Sequence, residues 1–345
     1  MIDLKELRDS ARQVLDGVEV PGSEEALWTQ IVELGWLLVA VPEDLDGLGL
    51  GLQGACVVHT ELGRKLAAAP YLPAVLALDA ICQSAHVDRA GWVERLTSGD
   101  YVAVPLADSP LAIDQSGGGQ ALTGLATAVQ SADNASHVLV WSAGTVALVP
   151  TDLPGVTLTE RPTWDRSRRL FDVAFENVAL DPALILAGGP EGEALTERLL
   201  VQRDFALAAD AVGSADALLE MTVEYLQTRR QFGRPLAMFQ ALKHRCADLK
   251  TRIAAAEATL SDSLGRYADL PGDPRAAVKG KMTRLLAGLA FSHMAEESLQ
   301  LHGGIGMASE HPCHLYLKRS LLGEHLGRGD RYEQDIADSL LENVS

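Results

Sequence analysis

The texture of the chain changes twice, and the order of those textures restricts the fold more than any single motif. Over the first hundred residues apolar side chains recur at helical spacing: Leu4, Leu7, Ala11 and Val14, then Trp28, Ile31, Val32 and Gly35. The Pro- and Gly-containing stretch 41–49 reads as a loop. Val57, Glu61, Leu62 and Leu66 resume the pattern, Pro70 and Pro73 punctuate it, and 74–84 reads as another helix. From about Tyr101 short apolar runs take over, at 102–104, 138–141, 145–149 and 173–175, separated by Gly, Asp, Asn and Pro clusters. They predict several short strands and hence a small β-domain. Gly117-Gly118-Gly119 reads as a hairpin tip. Beyond 187–190 long helical stretches follow, at about 191–227 and 236–267. A third, after Pro274, has Met282, Leu285, Leu286 and Leu289 at i, i+3, i+4 and i+7, and a fourth runs from about Pro312 onward. Joined by short turns, they predict a four-helix bundle. The expected fold is mainly α with a small β-domain: a helical domain over 1–100, a β-domain over 101–186 and a bundle over 187–345.

Charge narrows the function. With 29 Lys+Arg against 47 Asp+Glu the net charge is −18, which repels phosphate backbones and argues against nucleic acid or an anionic membrane as partner. Cys56, Cys82, Cys246 and Cys313 are far apart in sequence, so neither a zinc motif nor a disulfide framework is indicated. The N-terminal MIDLKELRDSARQVL has no apolar core, and no apolar run reaches the ~18 residues of a membrane span. The expectation is a soluble cytoplasmic protein.

Two motifs carry chemistry. Thr228-Arg229-Arg230-Gln231-Phe232-Gly233-Arg234-Pro235 is either an anion cradle or a basic helix end followed by stop signals. Gln300-Leu301-His302-Gly303-Gly304-Ile305-Gly306 is either a turn whose backbone N–H groups approach a pyrophosphate or a plain tight turn between helices.

Taken together and in this domain order, these stretches resemble the acyl-CoA dehydrogenase family of flavoenzymes. The likeness covers nearly the whole chain: "ELGWLLVAVPEDLDGLGLGL", "TELGRKLAAAPYL", "TWDRSRRLFDVAFENV", "TRRQFGRPLAMFQALKHRCADL" and "QLHGGIGMASEHP" follow the family's order. The resemblance implies a helical domain, a barrel-like β-domain and a four-helix bundle. It also implies FAD, an acyl-CoA substrate, and electron-transfer flavoprotein as electron acceptor. In the family, a glutamate removes the α-proton while the β-hydride goes to the flavin. FAD lies at a dimer interface, and the half-site that one subunit contributes to its partner's FAD falls here on Arg229, Gln231, Phe232, Gln240, Gln300, Gly303 and Gly304.

Three departures are equally informative. The family's Gly-Ser-Asp motif is missing after Val102–Pro110. Counting from Glu310 and Pro312 places the usual base on Gly327, and the alternative base position falls on Arg203. Glycine takes no proton, and arginine is a permanent cation. Glu324, read as one helical turn before Gly327, is the main fallback base, and a surface carboxylate is its plainer reading. Glu310 reads as fixing the turn after the glycines. His302, His311, His314 and His325 are too irregularly spaced for a metal site. The resemblance therefore points to the shorter, degenerate subunit of actinobacterial α2β2 dehydrogenases that shorten sterol side chains, with a larger catalytic subunit as partner. Two alternatives remain: a self-sufficient enzyme using Glu324, and a non-enzymatic acyl-CoA-binding scaffold.

Overall fold

The computed structural model describes residues 3–20, 22–116, 119–270 and 272–342. Five helices come first: α1 (Leu4–Asp16), α2 (Glu24–Glu33), α3 (Gly51–Arg64), α4 (Tyr71–Gln83) and α5 (Arg89–Thr97). In α1 the buried side chains are Leu7, Ala11 and Leu15, one per turn, and Asp3 with Glu6 forms a capping box at its start. Pro73 does not interrupt a helix as expected. It lies in the first turn of α4, where a missing N–H costs no hydrogen bond.

The middle of the chain holds two four-stranded sheets. Its strands are β1 (Val102–Ala103), β2 (Leu111–Ser116), β3 (Gly119–Gln130), β4 (His137–Ser142), β5 (Thr145–Pro150), β6 (Val156–Arg161), β7 (Leu170–Ala179) and β8 (Ile185–Ala187). One sheet has the order β1-β4-β5-β8, with β1 parallel to β4, and the other β2-β3-β7-β6. Ser116 pairs with Gly119 across the β2–β3 hairpin, while the expected tip at Gly117 and Gly118 lies outside the described residues. One continuous core joins these sheets to the N-terminal helices; Leu37, Val58, Ile81, Val104, Val140 and Val173 all belong to it.

The bundle begins with α6 (Gly189–Thr228). A short hairpin of β9 (Arg230–Gln231) and β10 (Arg234–Pro235) leads into α7 (Gln240–Tyr267), and α8 (Pro274–His302) follows. The expected fourth helix is broken in two, α9 (Cys313–Glu324) and α10 (Tyr332–Glu342). Gly327 and Gly329 between them take φ of +71° and +57°, left-handed values that end a helix. A second core of Phe205, Leu218, Ile253, Phe291 and Met294 fills the bundle.

The N-terminal helices meet the bundle backbone to backbone. A Cβ on Gly63 of α3 would lie 2.2 Å from the Asp210 carbonyl oxygen, and one on Gly213 of α6 would lie 2.0 Å from that of Thr60. Only glycine permits this crossing. Close by, buried His59 packs on Tyr71 at 4.9 Å between ring centroids, and its Nε2 has no partner. Burial pushes its pKa down to about 4, against the pull of Asp210. The folded value lies below the unfolded one of about 6.5, so the unfolded chain binds the extra proton between the two. Stability from His59 is complete above about pH 6.5 and is lost as pH falls toward 4. Urea unfolding at pH 7 and pH 5 checks this: the loss should be about 2 kcal/mol larger for the native chain than for His59→Leu.

Candidate functional site

The end of α6 and the end of α8 are tied together. The Tyr225 hydroxyl donates to the His302 carbonyl oxygen at 3.2 Å, and the two rings stack at 4.5 Å. This brings the β9–β10 hairpin beside the glycine turn at 303–307. All seven residues expected to serve a neighbouring FAD are exposed: Arg229, Gln231, Phe232, Gln240, Gln300, Gly303 and Gly304. Phe232, at the hairpin tip, is 89% exposed. A Cβ on Gly233, Gly303 or Gly304 would meet nothing within 4 Å, so the backbone there is uncovered, although the Gly303 N–H itself donates to the Leu299 carbonyl oxygen. Neither Arg229 nor Arg234 forms an ion pair among the described residues, and the Arg234 guanidinium lies 4.0 Å above the Phe239 ring. A free cation, open backbone and an exposed aromatic ring fit the phosphate and adenosine end of a dinucleotide.

The turn at Gly327 is the opposite case. Gly327 N donates to the Leu106 carbonyl oxygen at 2.7 Å, and Asp108 N donates to the Gly327 carbonyl oxygen at 3.2 Å. Gly327 thus bridges Ala107 as a parallel strand would. A Cβ at Gly327 would lie 2.0 Å from the Tyr332 hydroxyl oxygen. Tyr332 is 4% exposed and donates that hydroxyl to Asp204 Oδ1 on α6 at 2.6 Å. Burial, then the charge of Asp204, push the phenol upward and keep it protonated.

Arg203, at the alternative base position, lies beneath the same turn at 1% exposure. Its Nη2 donates to Asp204 Oδ1 at 3.4 Å, and its Nη1 lies 4.0 Å from Asp108 Oδ1. Arg328 completes the web. It donates to Asp108 Oδ2 at 2.6 Å, and to Asp335 on α10 at 2.6 and 3.1 Å. That hydrogen bond holds the Asp335 carboxyl below its ordinary value. Both base positions are therefore built over by a web of arginines, carboxylates and one tyrosine.

Glu324 does not take up the role. It lies in the last turn of α9, exposed, and accepts from Ser292 Oγ at 2.7 Å. The shared helix face expected for Glu324 and Gly327 does not form, because α9 ends at Glu324 and Gly327 belongs to a left-handed turn. The four histidines, read as too irregularly spaced for a metal site, lie in different surroundings. His302 stacks on Tyr225 and sits 4.7 Å from His311, whereas His325 lines a separate cavity. No group of three or more His, Cys, Asp and Glu suited to a metal was found among the described residues.

Sequence reasoning missed one more cluster. Arg319 of α9, 1% exposed, donates to Asp165 at 2.9 Å, Ser167 at 2.6 Å, Asp210 at 3.0 Å and the Ala67 carbonyl oxygen at 3.3 Å. Arg168 reaches the other oxygen of Asp210 at 3.1 Å. Burial acts to raise the Asp210 carboxyl, but Arg168 and Arg319 more than offset it and hold it below the usual range. One guanidinium thus ties α9 to α6, to the β6–β7 loop and to the segment after α3. The only hint in the sequence is an arginine within an otherwise apolar helical face.

Known proteins match the chain along its length. The family model for the acyl-CoA dehydrogenase N-terminal domain matches residues 4–100, and that for the C-terminal domain matches 191–330. Acyl-CoA dehydrogenase IpdE2 of Mycobacterium tuberculosis is 34% identical over 300 residues, 87% of this chain and 81% of that protein. Two solved structures superpose closely at 28% identity. The Tcur3481-Tcur3483 steroid ACAD has a TM-score of 0.88 and covers 99% of this chain and 98% of its own. The ChsE4-ChsE5 complex of Mycobacterium tuberculosis has 0.86, with 98% and 97% covered. No helix among the described residues is long and apolar enough to cross a membrane.

Proposed function

Because the chain belongs to the acyl-CoA dehydrogenase family, whose members are FAD-dependent flavoproteins, we propose that it is the non-catalytic subunit of a heteromeric enzyme of that kind. In this reading it lends half of a cofactor site to a larger catalytic partner. The substrate is a steroid side-chain acyl-CoA, and the electrons pass to electron-transfer flavoprotein. One contrast carries the reading. The Arg229 hairpin and the glycine turn stand open, while the base turn at Gly327 is hydrogen-bonded against Leu106 and Asp108. The names of the two steroid-enzyme and complex neighbours support the partner and the substrate class.

When bound, FAD supplies the redox step by accepting hydride from the acyl thioester. This chain's residues only hold it. Arg229 offers a permanent cation to the pyrophosphate, Gln231 and Gln300 offer amide donors, Gly303 and Gly304 offer an uncovered backbone for close approach, and Phe232 offers an apolar ring face. The base comes from the partner.

Flavin absorbance tests the reading. The chain purified alone is expected to be colourless, and its complex with a dehydrogenase bearing both the Gly-Ser-Asp motif and a base glutamate is expected to hold one FAD per pair. Arg229→Ala should weaken FAD retention by the complex about 10- to 100-fold, the worth of one charged hydrogen bond. Stoichiometric FAD together with acyl-CoA turnover by the chain alone would overturn the proposal.

A further inference from the structure

Four arginines are more than nine-tenths buried: Arg168, Arg203, Arg284 and Arg319. Three of them have a carboxylate within 4.0 Å. Arg284, on α8 and 5% exposed, has none among the described residues. Its Nη2 donates to the Gly323 carbonyl oxygen at the end of α9. That helix end carries only about half a negative charge. Its Nε is buried without a partner, and Nη1 makes no hydrogen bond among the described residues. Arginine cannot shed its proton, and an uncompensated buried cation is costly.

Arg284 lines a cavity of about 570 Å³, within the range of small-molecule sites. The sealed turn forms one wall and α8 the other. Arg331 and Arg328 add positive charge to the lining, Arg328 being shared between Asp108 and Asp335. The other lining carboxylates, Glu324 and Asp330, are exposed at the rim, so Arg284 is the buried charge without a carboxylate partner among the described residues. Leu285 and Leu289, the latter 57% exposed, make the wall apolar beside Arg284.

We propose that this cavity is a carboxylate-binding site. The acid group pairs with Arg284, and a short apolar body lies along Leu285 and Leu289. The carboxylate comes either from a free organic acid or from an Asp or Glu side chain of the partner subunit. The free-acid arm stands apart from the heteromer reading, and the partner arm rests on it.

Calorimetric titration of the full chain with hexanoate, and with hexylammonium as control, tests the free-acid arm. Saturable binding of hexanoate alone is expected, weakened at least 10-fold by Arg284→Met and within a few-fold of native for Arg284→Lys. Because Arg284 also caps α9, Leu289→Trp provides a second variant at an exposed position; it should block the cavity and abolish binding without altering the melting temperature. If hexanoate does not bind, the partner arm requires Arg284→Met to weaken the heteromeric complex at least 10-fold and Arg284→Lys to restore it. Hexanoate binding that ignores both cavity variants, or no effect in either arm, overturns the site.

Discussion

Replacing Gly327 with glutamate is expected to cost about 3–5 kcal/mol of stability and to yield no base. The obstacle is Tyr332, whose hydroxyl oxygen lies 2.0 Å, and whose ring carbon Cζ lies 3.0 Å, from where the new Cβ would stand. A side chain at 327 therefore has to displace Tyr332. Displacement breaks the 2.6 Å bond to Asp204 and leaves that buried carboxylate with only the longer Arg203 contact. The left-handed backbone, φ +71°, adds strain of about 1–2 kcal/mol for any residue but glycine. Gly327→Ala separates the terms, since it carries the strain and the overlap without the charge. In urea unfolding the pair Gly327→Glu and Tyr332→Ala should couple by at least about 1 kcal/mol, because the second change removes the obstacle to the first. A Gly327→Glu chain as stable as the native one would show that the base position is vacant space rather than occupied.

That result would also mark how far the sequence can be read. Helical periodicity located α1, α3, α6 and α8, because one apolar face per helix is a local property. The break between α6 and α7 and the glycine turn after α8 were legible too, since Gly and Pro mark them locally. The strands β2, β3 and β6 were not. Their outward faces alternate with polar residues, and Gly124 and the threonines of β3 read as turn material. The empty base positions at Gly327 and Arg203 could be counted out along the chain. What replaced them could not: Tyr332 meets Asp204 across 128 residues, and Arg328 meets Asp108 across 220. No spacing rule connects such positions. The same reason hides the split of the last helix, because Gly327 leaves helical geometry in order to pair with a strand-like segment of the β-domain.

A loss of similar size is expected away from the β9–β10 hairpin and the glycine turn, at Arg319. Among the described residues its guanidinium is the one cation paired with buried Asp165, and it shares Asp210 with Arg168. Arg319→Met keeps much of the side-chain volume but leaves Asp165 buried with only the Ser167 backbone N–H and hydroxyl as donors. Removing one member of such a buried set costs about 3–5 kcal/mol. Because the same side chain bonds α9, α6 and the β6–β7 loop, the loss should appear as a lower melting temperature for the whole chain rather than as fraying of α9. Its pH dependence distinguishes charge from packing. In the native chain Asp210 is held low by Arg168 and Arg319, so it contributes stability that is complete above its unfolded value of about 3.8 and is lost as pH falls through the lower folded value. Arg319→Met removes one of those two cations and shrinks that contribution. The gap between the two proteins should therefore narrow as pH falls below about 4, whereas a gap due to lost packing alone would stay constant.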